Sequence, residues 1–119
     1  MQGYKELLVW QKAMELVEEV YRLIRSIPES ERFALIDQIR RSVISIPSNI
    51  AEGRGRNTEK EFVRFLNIAN GSAFELETQL IICLRLGYLS EVQSEKAFQL
   101  CSEVCKMLNS LIKKLTAKS

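Results

Sequence analysis

Apolar residues recur at alternating three- and four-residue intervals along almost the whole chain, in four runs with short interruptions. That spacing is the period of a helix with one buried face, and it is incompatible with the two-residue alternation of a half-buried strand. The first run is Trp10, Ala13, Val17, Val20, Ile24 and Ile27, and the second is Ile36, Ile39, Val43, Ile46 and Ile50. The third is Phe62, Leu66, Ala69, Ala73, Leu76, Leu80 and Cys83, and the fourth is Ala97, Cys101, Val104, Leu108, Leu111 and Leu115. They predict helices over 5–26, 29–53, 58–86 and 90–115, and no strands. Four amphipathic helices joined by short loops pack as an antiparallel up-down-up-down bundle. The fold class is all-α, with a single four-helix-bundle domain over 1–119.

The helix ends carry signals of their own. Pro28 suits the first turn of the second helix. Thr58 with Glu61, and Ser90 with Gln93, have the spacing of a capping box. Gly53 and Gly87 stand where left-handed C-terminal caps are expected. Pro47 lies inside the second run, cannot donate to the carbonyl of Val43, and would cost about 3 kcal/mol in a straight helix. The Ile46–Ile50–Gly53 spacing stays in phase beyond it, so a helix bent near Pro47 is predicted rather than a broken one.

Two features exceed what one seam per helix requires. Val9, Leu16 and Leu23 flank the first seam, Met14 and Tyr21 its other side, and Phe65, Ile68, Phe74, Ile81 and Ile82 lie off the third. Either the monomer packs generously or a second copy of the chain covers a second apolar surface. The other feature is a strip of Gln38, Ser42, Ser45, Asn49 and Glu52 beside the second seam. Ser and Asn are mediocre helix formers, so the strip asks for a tertiary explanation. Ser72, Glu75 and Gln79 offer a matching strip on the third helix. Hydrogen bonding across a semi-buried interface is expected, with Gly71, Ser72 and Ala73 allowing close approach of a neighbour.

Several functions are disfavoured by what the chain lacks. It has no histidine, which removes Ser-His and Cys-His triads and most zinc sites. Glu52 and Glu75 could form a carboxylate pair, but without histidine or further inward carboxylates a di-iron site is incomplete. Neither catalysis nor a cofactor is expected. Cys83, Cys101 and Cys105 are an odd number of cysteines without a secretory leader, suggesting reduced thiols in the cytoplasm. Cys101 and Cys105 stand one turn apart, as two soft-metal ligands or as small core fillers. No apolar run approaches the roughly 20 residues of a membrane span.

The sequence Gly53-Arg54-Gly55-Arg56-Asn57 is glycine-rich but lacks both a preceding strand and a nucleotide-loop pattern. It does place two arginines beside a helix start, where a nucleic-acid phosphate could sit. With Arg40, Arg41, Lys60 and Arg64 these form a candidate nucleic-acid contact set, supplemented by Arg22 and Arg25. Glu59 and Glu61 interrupt it, so a solvated, salt-bridged surface is the competing reading.

Four stretches carry a resemblance: YKELLVWQKAMEL (Tyr4–Leu16), QIRRSVISIPSNIAEGRGR (Gln38–Arg56), EFVRFLNIANGSAFELETQL (Glu61–Leu80) and LGYLS (Leu86–Ser90). Together they resemble the bacterial four-helix-bundle proteins encoded within intervening sequences of 23S rRNA genes. RRS-x-x-SIPSNIAEG-x-GR followed by GS-x-x-E-L-E is the specific part. The resemblance implies an up-down bundle assembling as a cyclic homopentamer, and it transfers no catalytic residue. Members have been called ribosomal protein-like. A related group, the accessory variability determinant of diversity-generating retroelements, forms a basic pentameric barrel that binds nucleic acid and a reverse transcriptase. The net charge of +2 here is far lower. The expectation is therefore a non-enzymatic homo-oligomer, probed first for binding to rRNA or other nucleic acid. The alternative is a scaffold holding a partner protein.

Overall fold

In the computed structural model, which describes residues 3–117, four α-helices account for most of the chain. They are α1 (Leu8–Leu23), α2 (Asp37–Arg54), α3 (Glu59–Arg85) and α4 (Glu91–Thr116). Each packs against its chain neighbours, and α1 closes the square against α4, while the diagonal pairs make at most glancing contact. Short connections make successive helices antiparallel, so this is the up-down-up-down bundle that the four runs predict.

The first two helices are more segmented than the apolar spacing suggests. Tyr4–Glu6 is a separate 3₁₀ turn closed by the Glu6 carboxylate on the Gly3 amide at 3.1 Å. Leu7 is then extended, with φ −72° and ψ 127°, before α1 begins. Beyond Leu23 the chain tightens into 3₁₀ turns at Ile24–Ser26 and Glu29–Glu31 and widens into a π-turn at Arg32–Ile36. Tyr88, between α3 and α4, pins this region by donating its hydroxyl to Glu31 at 2.8 Å.

Caps divide into those the sequence spells out and one it misplaces. Ser90 and Gln93 form the full reciprocal box, at 3.1 and 2.9 Å. Thr58 accepts from the Glu61 amide at 3.1 Å, but the Glu61 carboxylate turns to Arg64 instead of completing the box. Gly87 adopts the expected left-handed conformation, with φ 77°. Gly53 does not: it lies buried in the last turn of α2, which ends at Arg54, with the following Gly55 right-handed at φ −83°. Its function is steric. A Cβ on Gly53 would fall 2.5 Å from Phe65 Cβ and 3.3 Å from the Phe62 carbonyl oxygen, so only glycine lets α2 meet α3 this closely.

The α2–α3 interface also contains the expected polar contacts. Ser42 donates to Gln79 Oε1 at 2.7 Å, both side chains buried, and Ser45 and Ser72 share a hydrogen bond at 2.8 Å. Asn49 braces Ser45 by donating to its carbonyl and hydroxyl at 2.8 and 2.9 Å. The strip's ends, Gln38 and Glu52, are exposed, as is Glu75. On the other flank of α2, Pro47 is buried within an uninterrupted helix and faces α1.

The surplus apolar positions sort into two groups. Val9, Leu16, Leu23 and Phe65 are buried within the monomer, and Tyr21, like the seam residues Trp10 and Val17, is half-buried. Met14, Ile68, Phe74, Ile81 and Ile82 remain exposed. Internal packing thus explains part of the excess and leaves the rest unpartnered.

The Gly53 contact makes a direct prediction. Gly53→Ala should destabilise the fold by about 1–3 kcal/mol through overpacking. Gly55→Ala, whose Cβ would meet nothing closer than 3.6 Å, should be neutral or slightly stabilising. Parallel thermal melts of the two variants check this, and equal stabilities would refute the close-approach account.

Candidate nucleic-acid interface

The six basic residues singled out in the sequence do not form one patch. Arg54, Arg56, Lys60 and Arg64 gather at the α2–α3 turn. Arg40 and Arg41 lie on the first turn of α2, about 20 Å away along a helix rising ~1.5 Å per residue. Only the first four share an end of the bundle.

At that end the arginines are folded down rather than extended. The Arg56 and Arg64 guanidiniums both lie over the Phe65 ring, at 4.8 and 4.6 Å from its centroid, and Arg54 lies over Phe62 at 5.8 Å. Such contacts contribute on the order of 0.5–1 kcal/mol each at exposed sites. The rings are available because Gly53 brings α2 directly onto Phe62 and Phe65. Close packing of the helices therefore also positions the arginines.

Carboxylates complete the arrangement. Glu52 accepts from Arg56 in the turn that follows its helix, at 2.8 Å, rather than from Arg40, Arg41 or a neighbouring helix. Glu61 accepts from Arg64 at 3.2 Å, and this hydrogen bond holds its carboxyl below the usual range. Lys60 is exposed at the start of α3, its charge also felt by Glu61. At the far end Arg41 approaches Asp37 at 3.7 Å. Thr58 already occupies the Glu61 amide, and Glu59 and Glu61 fill the first turn, so the start of α3 offers an anion less than its position suggests. Arg54, Arg56 and Asn57 edge a cavity of about 70 Å³, too small for more than a single phosphate oxygen cluster.

Other residues weighed as chemical groups have structural surroundings. Glu52 and Glu75 are both exposed and form no buried pair. No group of three or more potential metal ligands occurs among the described residues. Cys83 and Cys101 are buried and Cys105 half-buried, all as free thiols. Burial pushes Cys83 up to about 11, with the Glu31 charge adding to it. The Cys101 thiol, with the Ala73 carbonyl 3.5 Å away and the Cys105 sulfur as its other acceptor, keeps its proton. Its donation to Cys105 holds that thiol below the ordinary cysteine value. Among the described residues, no helix is long and apolar enough to cross a membrane.

The family model for 23S rRNA-intervening sequence proteins matches residues 5–110. A crystal structure of a protein of unknown function from the S23 ribosomal protein family of Bacteroides thetaiotaomicron superposes with a TM-score of 0.82 and 31% identity. The match covers 89% of this chain and 99% of that one. No match was found among curated proteins. This chain belongs to the 23S rRNA-intervening sequence protein family.

The thiol environments are testable. At pH 8 iodoacetamide should modify Cys105 in the folded protein and spare Cys83 and Cys101 until denaturant is added. Cys101→Ala should slow the modification of Cys105 by raising its thiol. Peptide mass spectrometry reads both, and equal labelling of Cys83 would contradict the assignment.

Proposed function

We propose that this member of the 23S rRNA-intervening sequence protein family is a non-enzymatic, self-assembling, RNA-associated protein of the cytoplasm. It forms a homo-oligomeric ring, with five subunits the size the family resemblance implies. The observation that carries self-assembly is the outer face of α3. There Ile68, Phe74, Ile81 and Ile82 remain exposed, and Gly71 between them faces open space, with nothing within 4 Å of where its Cβ would stand. A glycine without an intramolecular neighbour, framed by bare isoleucines, suits the close approach of another subunit.

A second exposed apolar surface supports a ring over a two-fold dimer. Trp10, Met14, Ile44 and Pro47 line a groove of about 360 Å³ between α1 and α2. Two unlike apolar surfaces on one chain suit a head-to-tail contact, which closes into a ring when the rotation allows. In such a ring the cations of the α2–α3 end, Arg54, Arg56, Lys60 and Arg64, recur once per subunit. Repetition focuses a field that one chain of net charge +2 does not have, and multiplies weak phosphate contacts.

The second reading is a protein scaffold without RNA contact. It is favoured by the engagement of Arg56 and Arg64 with Glu52, Glu61 and Phe65, which leaves fewer free charges for phosphate. Light scattering with and without an equimolar structured rRNA fragment separates the two. The RNA reading expects a mass near five chains that rises with RNA at low salt and falls back when salt is added. A five-chain mass unmoved by RNA at low salt favours the scaffold. A monomer at micromolar concentration contradicts self-assembly, and Gly71→Arg should produce that monomer from the wild-type ring.

A further inference from the structure

The end of the bundle opposite the α2–α3 turn contains a more polar concavity than any at the turn itself. It has a volume of about 350 Å³ and lies where the end of α1, the π-turn and the start of α2 meet. Arg25 from the 3₁₀ turn after α1, Arg32 from the π-turn and Arg40 from α2 line it, together with the buried Ile27 and Ile36. Glu29 is the only carboxylate in the lining, and it is committed to Arg32 at 3.2 Å. Arg32 is further held over the Phe33 ring at 5.4 Å. Among the described residues, Arg25 and Arg40 have neither a hydrogen bond nor an ion pair.

Arg40 is half-buried, and an anion in the concavity would supply the counter-charge that no carboxylate there provides to it or to Arg25. The backbone contributes as well. In a regular α-helix positions eight apart differ by ~80° around the axis, which would splay Arg32 from Arg40. The wider π-turn over Arg32–Ile36 advances less per residue and swings Arg32 toward the face that carries Arg40. π-turns of this kind are rare and recur at functional sites. Here the turn places Arg32 in the lining of the concavity.

The geometry points to a phosphate-binding pocket at this end, in which Arg25 and Arg40 hold the phosphoryl oxygens and Arg32 closes over them. Planar guanidinium forks match tetrahedral oxyanions by paired hydrogen bonds, which lysines do not. The phosphate can be a free ion or the terminal phosphate of an RNA. The pocket goes beyond the RNA reading above, because it uses different residues and does not depend on a ring.

The test is thermal melting in chloride and in inorganic phosphate at matched ionic strength, repeated with a short oligoribonucleotide carrying a 5′-phosphate and with its 5′-hydroxyl counterpart. The wild type should show a saturable rise in Tm. The apparent affinity should fall roughly tenfold or more in Arg40→Gln and in Arg25→Gln, each removing a charged hydrogen-bonding group. Arg25 is exposed, so its variant keeps the fold, and Arg41→Gln, on a residue outside the cavity, should behave as wild type. A response to both inorganic phosphate and the phosphorylated oligonucleotide identifies a general phosphate site. A response to the phosphorylated oligonucleotide alone identifies an RNA-end site. No saturable response to either, or an undiminished response in both variants, overturns the pocket. Failure of salt-reversible RNA binding by the ring leaves this result standing, and the reverse also holds.

Discussion

The contact on which most of this structure depends is the seating of α2 against α3. It has two components that would fail separately. Gly53 removes the side chain that would collide with Phe65, letting the backbones approach at one end. Ser42, Gln79, Ser45 and Ser72 satisfy one another along the rest. Serine accepts its poor helix propensity here in return for a short cross-helix bond, to Gln79 from Ser42 and to Ser72 from Ser45. Buried hydroxyl and amide groups fix register more strictly than apolar packing does, because a slipped register leaves them unpaired at about 1–3 kcal/mol each. The α1 side of the bundle is packed by interchangeable aliphatics and carries no such constraint.

That seating reaches the surface as well. Phe62 and Phe65 are drawn under the α2–α3 turn, and Arg54, Arg56 and Arg64 lie on them. A turn that reads as free basic charge is thus partly an aromatic-supported, carboxylate-paired surface. At the opposite end, Arg25 and Arg40 have neither a carboxylate nor an aromatic partner among the described residues. The Gly71 face and the α1–α2 groove are apolar surfaces that intramolecular packing leaves uncovered, as is a groove of about 450 Å³ between the start of α1 and α4 that includes the exposed Leu8.

What could be read in the sequence followed from periodicity. The four helices, the Ser90 cap, the left-handed Gly87 and the polar strip all rest on local spacing, which survives without knowledge of the fold. The strip was legible because five polar residues at helical spacing beside an apolar seam have few explanations. Gly53 was misplaced because a glycine near a helix end suggests a cap, whereas its reason lies on Phe65, twelve residues ahead and across an interface. The Leu7 break and the π-turn are invisible to a seam that tolerates one residue of slippage. The first seam places Ala13, Val20, Ile24 and Ile27 in the core correctly, but at Trp10 and Val17 it is one position off, since these are as apolar as the Val9 and Leu16 that are buried. The basic set was assembled by proximity in sequence, and α2 is long enough to carry its two halves to opposite ends.

A double-mutant cycle on Ser42 and Gln79 tests the α2–α3 account most directly. Ser42→Ala leaves the buried Gln79 oxygen without its donor, and Gln79→Met leaves Ser42 with only the Ile39 carbonyl at 3.1 Å. Chemical denaturation of the four proteins should show each single change costing about 1 kcal/mol or more, and the double change costing less than the sum by at least ~0.5 kcal/mol. Strict additivity, or single variants as stable as the wild type, would show that the polar contacts merely occupy the interface and that apolar packing alone sets it.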